Sequence, residues 1–147
     1  MTDITELEKI PPQNLEAEMS LLGSILLDKD AMLKIADIVD ADDFYKNAHV
    51  SIFEIMAELY NKNEPVDVLT LGNRLEEKGN LEKIGGQSYL IKLSNTVPTS
   101  SHIEEYAKIV RRKSTLRKLL KASHEITRLG YQEDADSVEG LLDEAQQ

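Results

Sequence analysis

The chain has 147 residues, no cysteine and no tryptophan, and a formal charge of −10. Zero cysteine excludes a disulfide framework, a zinc ribbon, a thiol nucleophile and an iron–sulfur site. An apolar share of 41% beside 30% charged residues reads as a soluble globular chain rather than a disordered one. The opening MTDITELEKIPPQ lacks the basic and apolar regions of a signal peptide, and the apolar runs are far too short to span a membrane. The charge is unevenly placed. Eight basic residues and one acid, Glu125, lie between Lys108 and Arg128, so that stretch is +7 and the remainder −17.

Pro11 and Pro12 close an extended tail over residues 1–13. Asn14 caps a first predicted helix, whose apolar stripe is Leu15, Met19, Leu22, Ile25 and Leu26. Gly23 interrupts it at a cost of ~1 kcal/mol against alanine, as a close approach of another backbone would require. A second helix is predicted over residues 31–39, then a break at Asp40, Asp42 and Asp43. Asn47 or Asp43 opens a third helix, carrying Val50, Ile52, Phe53, Met56, Leu59 and Tyr60 and ending at Asn63-Glu64-Pro65. Asp67 caps the next, with Val68, Leu71 and Leu75 spaced by three and four, and Gly79 stops it. A short turn near Leu81 to Ile84 reaches Gly85-Gly86. A further helix then uses Tyr89, Leu90 and Leu93 and stops before Pro98.

Ser101 and Glu104 fit a capping box for the longest run, Ile103 to Leu129, which holds no glycine or proline. At ~1.5 Å per residue it reaches ~40 Å. A body of about 100 residues has a radius of gyration of only ~13 Å, so part of this helix needs another surface. Gly130 ends it, and Val138, Leu141, Leu142 and Ala145 begin one more amphipathic helix. The expected fold is all-α. It comprises the tail 1–13, a compact helical bundle over 14–98 and a long αα-hairpin over 99–147. The helical pattern runs to Gln147 without a C-cap, as expected of the N-terminal piece of a longer polypeptide.

Chemistry-bearing patterns are sparse. No G-x-x-x-x-G-K-[ST] loop occurs, and Gly85-Gly86 reads as a helix–helix turn. His49, His102 and His124 have no histidine at ligand spacing, and His49 reads as a packed or capping residue. Asp37, Asp40, Asp42 and Asp43 lack the loop of a calcium cage and read as solvated acids plus a helix cap. No serine elbow or carboxylate couple stands out, so no catalytic residue, metal or cofactor is expected within this chain. The basic stretch has no aromatic residue for stacking on bases, which favours a solvated helix face. A DNA-binding helical module using the basic helix 108–128 is the alternative.

Several ordered segments resemble the N-terminal region of DnaB-type replicative helicases, bacterial or phage. They are Pro12-Gln13-Asn14-Leu15-Glu16-Ala17-Glu18, Leu22-Gly23-Ser24-Ile25-Leu26, Asp43-Phe44-Tyr45 with His49, and Pro65-Val66-Asp67. Gly85-Gly86, Tyr89-Leu90, Val97-Pro98-Thr99 and Tyr106-Ala107-Lys108-Ile109-Val110 follow in order. The resemblance implies a non-catalytic collar domain of a hexameric, ATP-driven DNA helicase at a cytoplasmic replication fork. Such domains pair through their hairpins into dimers and a trimer of dimers. ATP and Mg would belong to a motor domain beyond this chain. The collar would dock the helicase-binding domain of primase, with a helicase loader as a further candidate partner and weak or absent DNA contact. Positions matching the family's primase surface are Glu16, Tyr89, Leu120 and Ile126. Hairpin or oligomer-interface candidates are Ile103, Val110, Leu116, Leu119, Leu141 and Leu142.

Overall fold

The computed structural model describes residues 10–132 and 138–146. Residues 1–9 of the expected tail lie outside this range, and so do residues 133–137. The chain divides into two compact units: residues 12–114, and the residues from 115 onward together with the N-terminal segment to Pro11. Among the described residues every regular element is helical, and no helix is long and apolar enough to cross a membrane.

In the first unit, α1 (Leu15–Leu27) starts where the Asn14 side chain accepts the Ala17 N–H at 2.9 Å. The second predicted helix is shorter than its apolar pattern suggests. A 3₁₀ turn (Lys29–Ala31) leads into the single turn α2 (Met32–Ile35), and residues 36–40 leave the helix. Asp43 does not open the third helix. It closes a separate 3₁₀ turn (Ala41–Asp43) in a reciprocal capping box with Asp40. The third helix, α3 (Asn47–Asn61), starts after Lys46 with no side-chain cap. Asn63 takes a left-handed φ of 57° at its exit. Asp67 caps α4 (Val68–Glu77) by accepting the Thr70 N–H at 2.7 Å. Gly79, at φ 72°, ends it in the conformation that only glycine adopts without penalty.

After a 3₁₀ turn (Glu82–Ile84) comes α5 (Gly86–Ser94). The long helix α6 (Ile103–Gly130) has 28 residues and crosses from the first unit into the second. Its start shows no Ser101 box. The His102 carbonyl accepts the Tyr106 N–H, so the capping position is His102, one residue later than the Ser101–Glu104 spacing requires. The second unit adds α7 (Val138–Gln146), which forms a hairpin with the end of α6. Ala122, Ile126 and Leu129 share a groove with Glu144 and Ala145.

One core joins the elements of the first unit. Leu21, Leu22 and Ile25 of α1 and Ile52, Met56 and Leu59 of α3 pack with Leu71 and Leu75 of α4, Leu90 and Leu93 of α5, and Ile103 of α6. All of them are fully buried. On the surface, Glu58 of α3 accepts from Lys62, from Arg74 and from Lys78 of α4's C-cap. Its bonds to Lys78 and Lys62 pull its pKa down to about 2.

Gly23 explains the closest helix contact. A Cβ there would stand 2.4 Å from the Leu93 carbonyl oxygen, so α1 and α5 meet backbone to backbone. Gly23→Ala is therefore expected to lower stability by about 1–3 kcal/mol, as overpacking does. Gly130→Ala has open space around the new methyl and should change little. Chemical denaturation of the two variants checks the contrast.

Candidate functional site

An acid on an apolar stripe organises the bundle. Glu18 lies on the same face of α1 as Leu22 and Ile25 and is 2% exposed. Its carboxylate accepts the Tyr45 N–H at 2.8 Å, the Lys46 N–H at 3.4 Å and the His49 Nδ1–H at 2.7 Å. The other ring nitrogen of His49, Nε2, receives the Tyr89 hydroxyl at 2.5 Å. An imidazole with its proton on Nδ1 satisfies both contacts. The His49 and Tyr89 rings are nearly parallel, at 11°, with centroids 5.9 Å apart. Lys46 Nζ sits 4.7 Å from the centre of the Tyr89 ring. Burial, reinforced by the Glu18 charge, raises the Tyr89 phenol above its ordinary value and keeps it a donor. Phe44 packs edge-on to His49 and against Phe53.

A second buried carboxylate anchors α6. Asp43 has no exposed surface, and its oxygens accept the Asp40 N–H at 2.8 Å, the Ser114 hydroxyl at 2.7 Å and Arg111 Nη1 at 3.2 Å. Burial works to raise its pKa. The Asp40, Ser114 and Arg111 hydrogen bonds and the Arg111 charge outweigh that and lower it. Asp40, Asp42 and Asp43 bring carboxylate oxygens within 4.8 Å of one another. Asp40 and Asp42 are exposed and Asp40 and Asp43 form the cap, as the reading of solvated acids plus a helix cap expects; the burial of Asp43 and its ion pair with Arg111 are what that reading lacks. Among the described residues no buried polar side-chain atom lacks a partner.

The expected partner-facing residues separate into three groups. Glu16 is exposed at the rim of a shallow groove of about 370 Å³ lined by Ala17, Val97, Pro98, Tyr106 and Ile109. Tyr89 is half-buried, its hydroxyl turned inward to His49. Leu120 and Ile126 are 42% and 54% exposed. Of the hairpin candidates, Leu116, Leu119 and Leu142 are exposed, at 36%, 62% and 56%. Ile103 and Val110 are not. Both fill the core of the first unit and have no area left for a second subunit. The reason is that the first three turns of α6 are themselves a core helix, with Ile103, Ala107, Val110 and Ser114 facing inward. The side chain of Leu141 falls outside the described residues.

At about 100° per residue, Leu116, Leu119, Leu120 and Ile126 share one arc of α6 roughly 120° wide. Arg117, Lys118, Lys121 and Arg128 take the opposite side. His102 and His124 are exposed, and neither has a second histidine three or four residues away.

Glu18 and Ser114 escaped the reading of composition and motifs. Their signal is positional: each occupies a register of an otherwise apolar helix stripe. Asp43 carries only the Asp40-x-x-Asp43 spacing of a capping box.

The family model for the DnaB-like helicase N-terminal domain matches residues 10–112. The chain belongs to this family. It is 42% identical over 146 residues to the replicative DNA helicase DnaC of Bacillus subtilis, covering 99% of this chain and 32% of that protein. It thus spans about a third of the length of the curated relatives it matches. The crystal structure of the N-terminal domain of DnaB helicase from Mycobacterium tuberculosis superposes with a TM-score of 0.88 at 39% identity, covering 93% of this chain and 95% of that one. The N-terminal domain of DnaB helicase from Helicobacter pylori, described with its interactions with primase, shares the fold. Its TM-score is 0.67 at 19% identity, over 90% of this chain and 100% of that one. The matched family domain is the non-catalytic one, and the chain carries no P-loop.

The Asp43 tie has a pH signature. A carboxylate held below its unfolded value of 3.8 contributes stability that is fully present above that pH and is lost as pH falls toward the folded value. Asp43→Asn should therefore cost about 1–3 kcal/mol at pH 7. The gap to the native chain should narrow below about pH 4, as urea unfolding at pH 7 and pH 3 will show.

Proposed function

We propose that this chain is the assembly and docking part of a replicative DNA helicase. It builds a collar by self-association and receives the helicase-binding domain of primase, and it performs no chemistry itself. The observation that carries the reading is the apolar arc of α6. Leu116, Leu119, Leu120 and Ile126 are large, exposed and aligned, and an aligned apolar stripe of this kind marks an association surface. The family relationship supports a second copy of the hairpin as the first cover. It also supports primase as the partner, since the Helicobacter relative is described with primase. Functionally the parts are the tail 1–13, the bundle 14–98 and the hairpin 99–147, working in a cytoplasmic replisome with ATP and Mg handled by a motor domain. A helicase loader is a further candidate partner.

The two proposed surfaces adjoin along the α6 arc. Leu116, Leu119 and Leu142 serve hairpin pairing; Glu16, Tyr89, Leu120 and Ile126 serve primase. The basic side of α6 lies opposite the apolar arc, and Arg111 is already paired with Asp43. It therefore functions here as a solvated and internally paired face rather than as a DNA track.

Sedimentation of the chain should show concentration-dependent association, weakened at least tenfold by Leu119→Asp with the helical content intact. Titration with the primase helicase-binding domain should show loss of affinity for Tyr89→Ala and Ile126→Ala. Monomeric behaviour together with salt-dependent binding of single-stranded DNA would reverse the proposal in favour of a DNA-binding module using helix 108–128.

A further inference from the structure

The Tyr89 side chain is restrained on every side that the first unit offers. Behind it, Gly85 at φ 112° leaves no room for a Cβ, which would stand 2.9 Å from the Tyr89 Cβ. Over its ring sits Lys46 Nζ, whose backbone N–H is held by Glu18. Its hydroxyl is bonded to His49 Nε2, and His49 is held through Nδ1 by the same Glu18 carboxylate. Both Glu18 and His49 are buried and have no surface to give to a partner. A half-exposed aromatic ring on this anchor enters a complex already ordered, and ordering a free side chain on binding costs about two- to tenfold in affinity.

We infer that Glu18 and His49 are positioning residues for docking: through the Tyr89 hydroxyl they hold the ring in the orientation that the primase helicase-binding domain engages. The inference rests on the docking role proposed for Tyr89 and deepens it. It assigns the hydroxyl an inward task. The partner reads the exposed part of the ring, and the hydroxyl reads His49. Glu18 couples the same restraint to Lys46, so the cation over the ring and the ring itself are set by one carboxylate.

The test is a calorimetric titration of the chain with the primase helicase-binding domain, with helical content and thermal unfolding followed for every variant. Tyr89→Phe keeps the ring and removes only the inward bond, and it should weaken docking about two- to tenfold. His49→Leu should weaken it to the same degree, and the double variant no further, because both break one link. His49→Gln, whose amide can donate to Glu18 and accept from Tyr89, should restore docking to within about twofold of native. A role confined to stability would leave docking of the folded variants unchanged and would show no such rescue.

Native affinity for Tyr89→Phe beside lost affinity for Tyr89→Ala would overturn the inference and leave the docking role standing. So would additive losses in the double variant, which would place the hydroxyl against the partner. Native affinity for Tyr89→Ala would remove the docking role and the inference with it. Should His49→Leu fail to fold, native affinity for Tyr89→Phe still overturns the inference, and His49→Ala takes the place of His49→Leu in the double variant.

Discussion

The bundle depends on a carboxylate placed where a carboxylate is costly. An isolated ionised side chain inside a protein costs several kcal/mol even after relaxation, unless donors surround it. Glu18 meets that demand with two backbone N–H groups and an imidazole drawn from a segment nearly thirty residues away. The requirement is directional. Residues 45 and 46 must present their N–H groups to α1, and α3 must begin at the angle that brings His49 inward. His49 then has one ring nitrogen left, and the Tyr89 hydroxyl of α5 fills it. One side chain thereby orients α1, α3 and α5 against one another. An apolar residue of similar size could stabilise such a core as well, but it would not select this arrangement.

Asp43 repeats the device at the other end of the same connection. The segment between α2 and α3 has little regular structure, and its backbone groups need partners. Asp43 takes the Asp40 N–H within the segment, then reaches Ser114 and Arg111 on α6. The least regular stretch of the first unit is thus pinned by two buried carboxylates. The apolar core supplies burial without direction, and these two polar clusters supply the direction.

The long helix divides into two characters for the same reason. Through Ser114 its inward register is filled by Ile103, Ala107 and Val110, and the bundle consumes its apolar area. Beyond that point Leu116, Leu119, Leu120 and Ile126 remain exposed along one arc and the cations occupy the other, while Leu129 is buried. A helix that is core in its first half and uncovered in its second is suited to joining molecules. The hydrophobic effect that closes the bundle is, on the second half, left available for association.

Much of this was written in the sequence. Helix periodicity, the Asn14 and Asp67 caps, the stop at Gly79 and the uninterrupted run from Ile103 are local properties, set by side-chain spacing and backbone freedom. Gly23 announced a close contact without naming Leu93, and its neighbour became known only once α1 and α5 were packed. The same limit explains Ile103 and Val110. Periodicity places an apolar residue on a face, but whether that face meets the chain's own core or another molecule depends on where the remaining helices lie. It also explains Glu18, His49 and Tyr89, which are separated by about thirty and forty residues. Hydrogen bonds of that span are non-local, and no pattern of spacing encodes them. The sequence by itself determined the all-helical class, the element order and the family. Only the tertiary structure decided which polar residues are buried together and which apolar ones remain exposed, because both follow from the long-range packing of helices whose local propensities are indifferent to it.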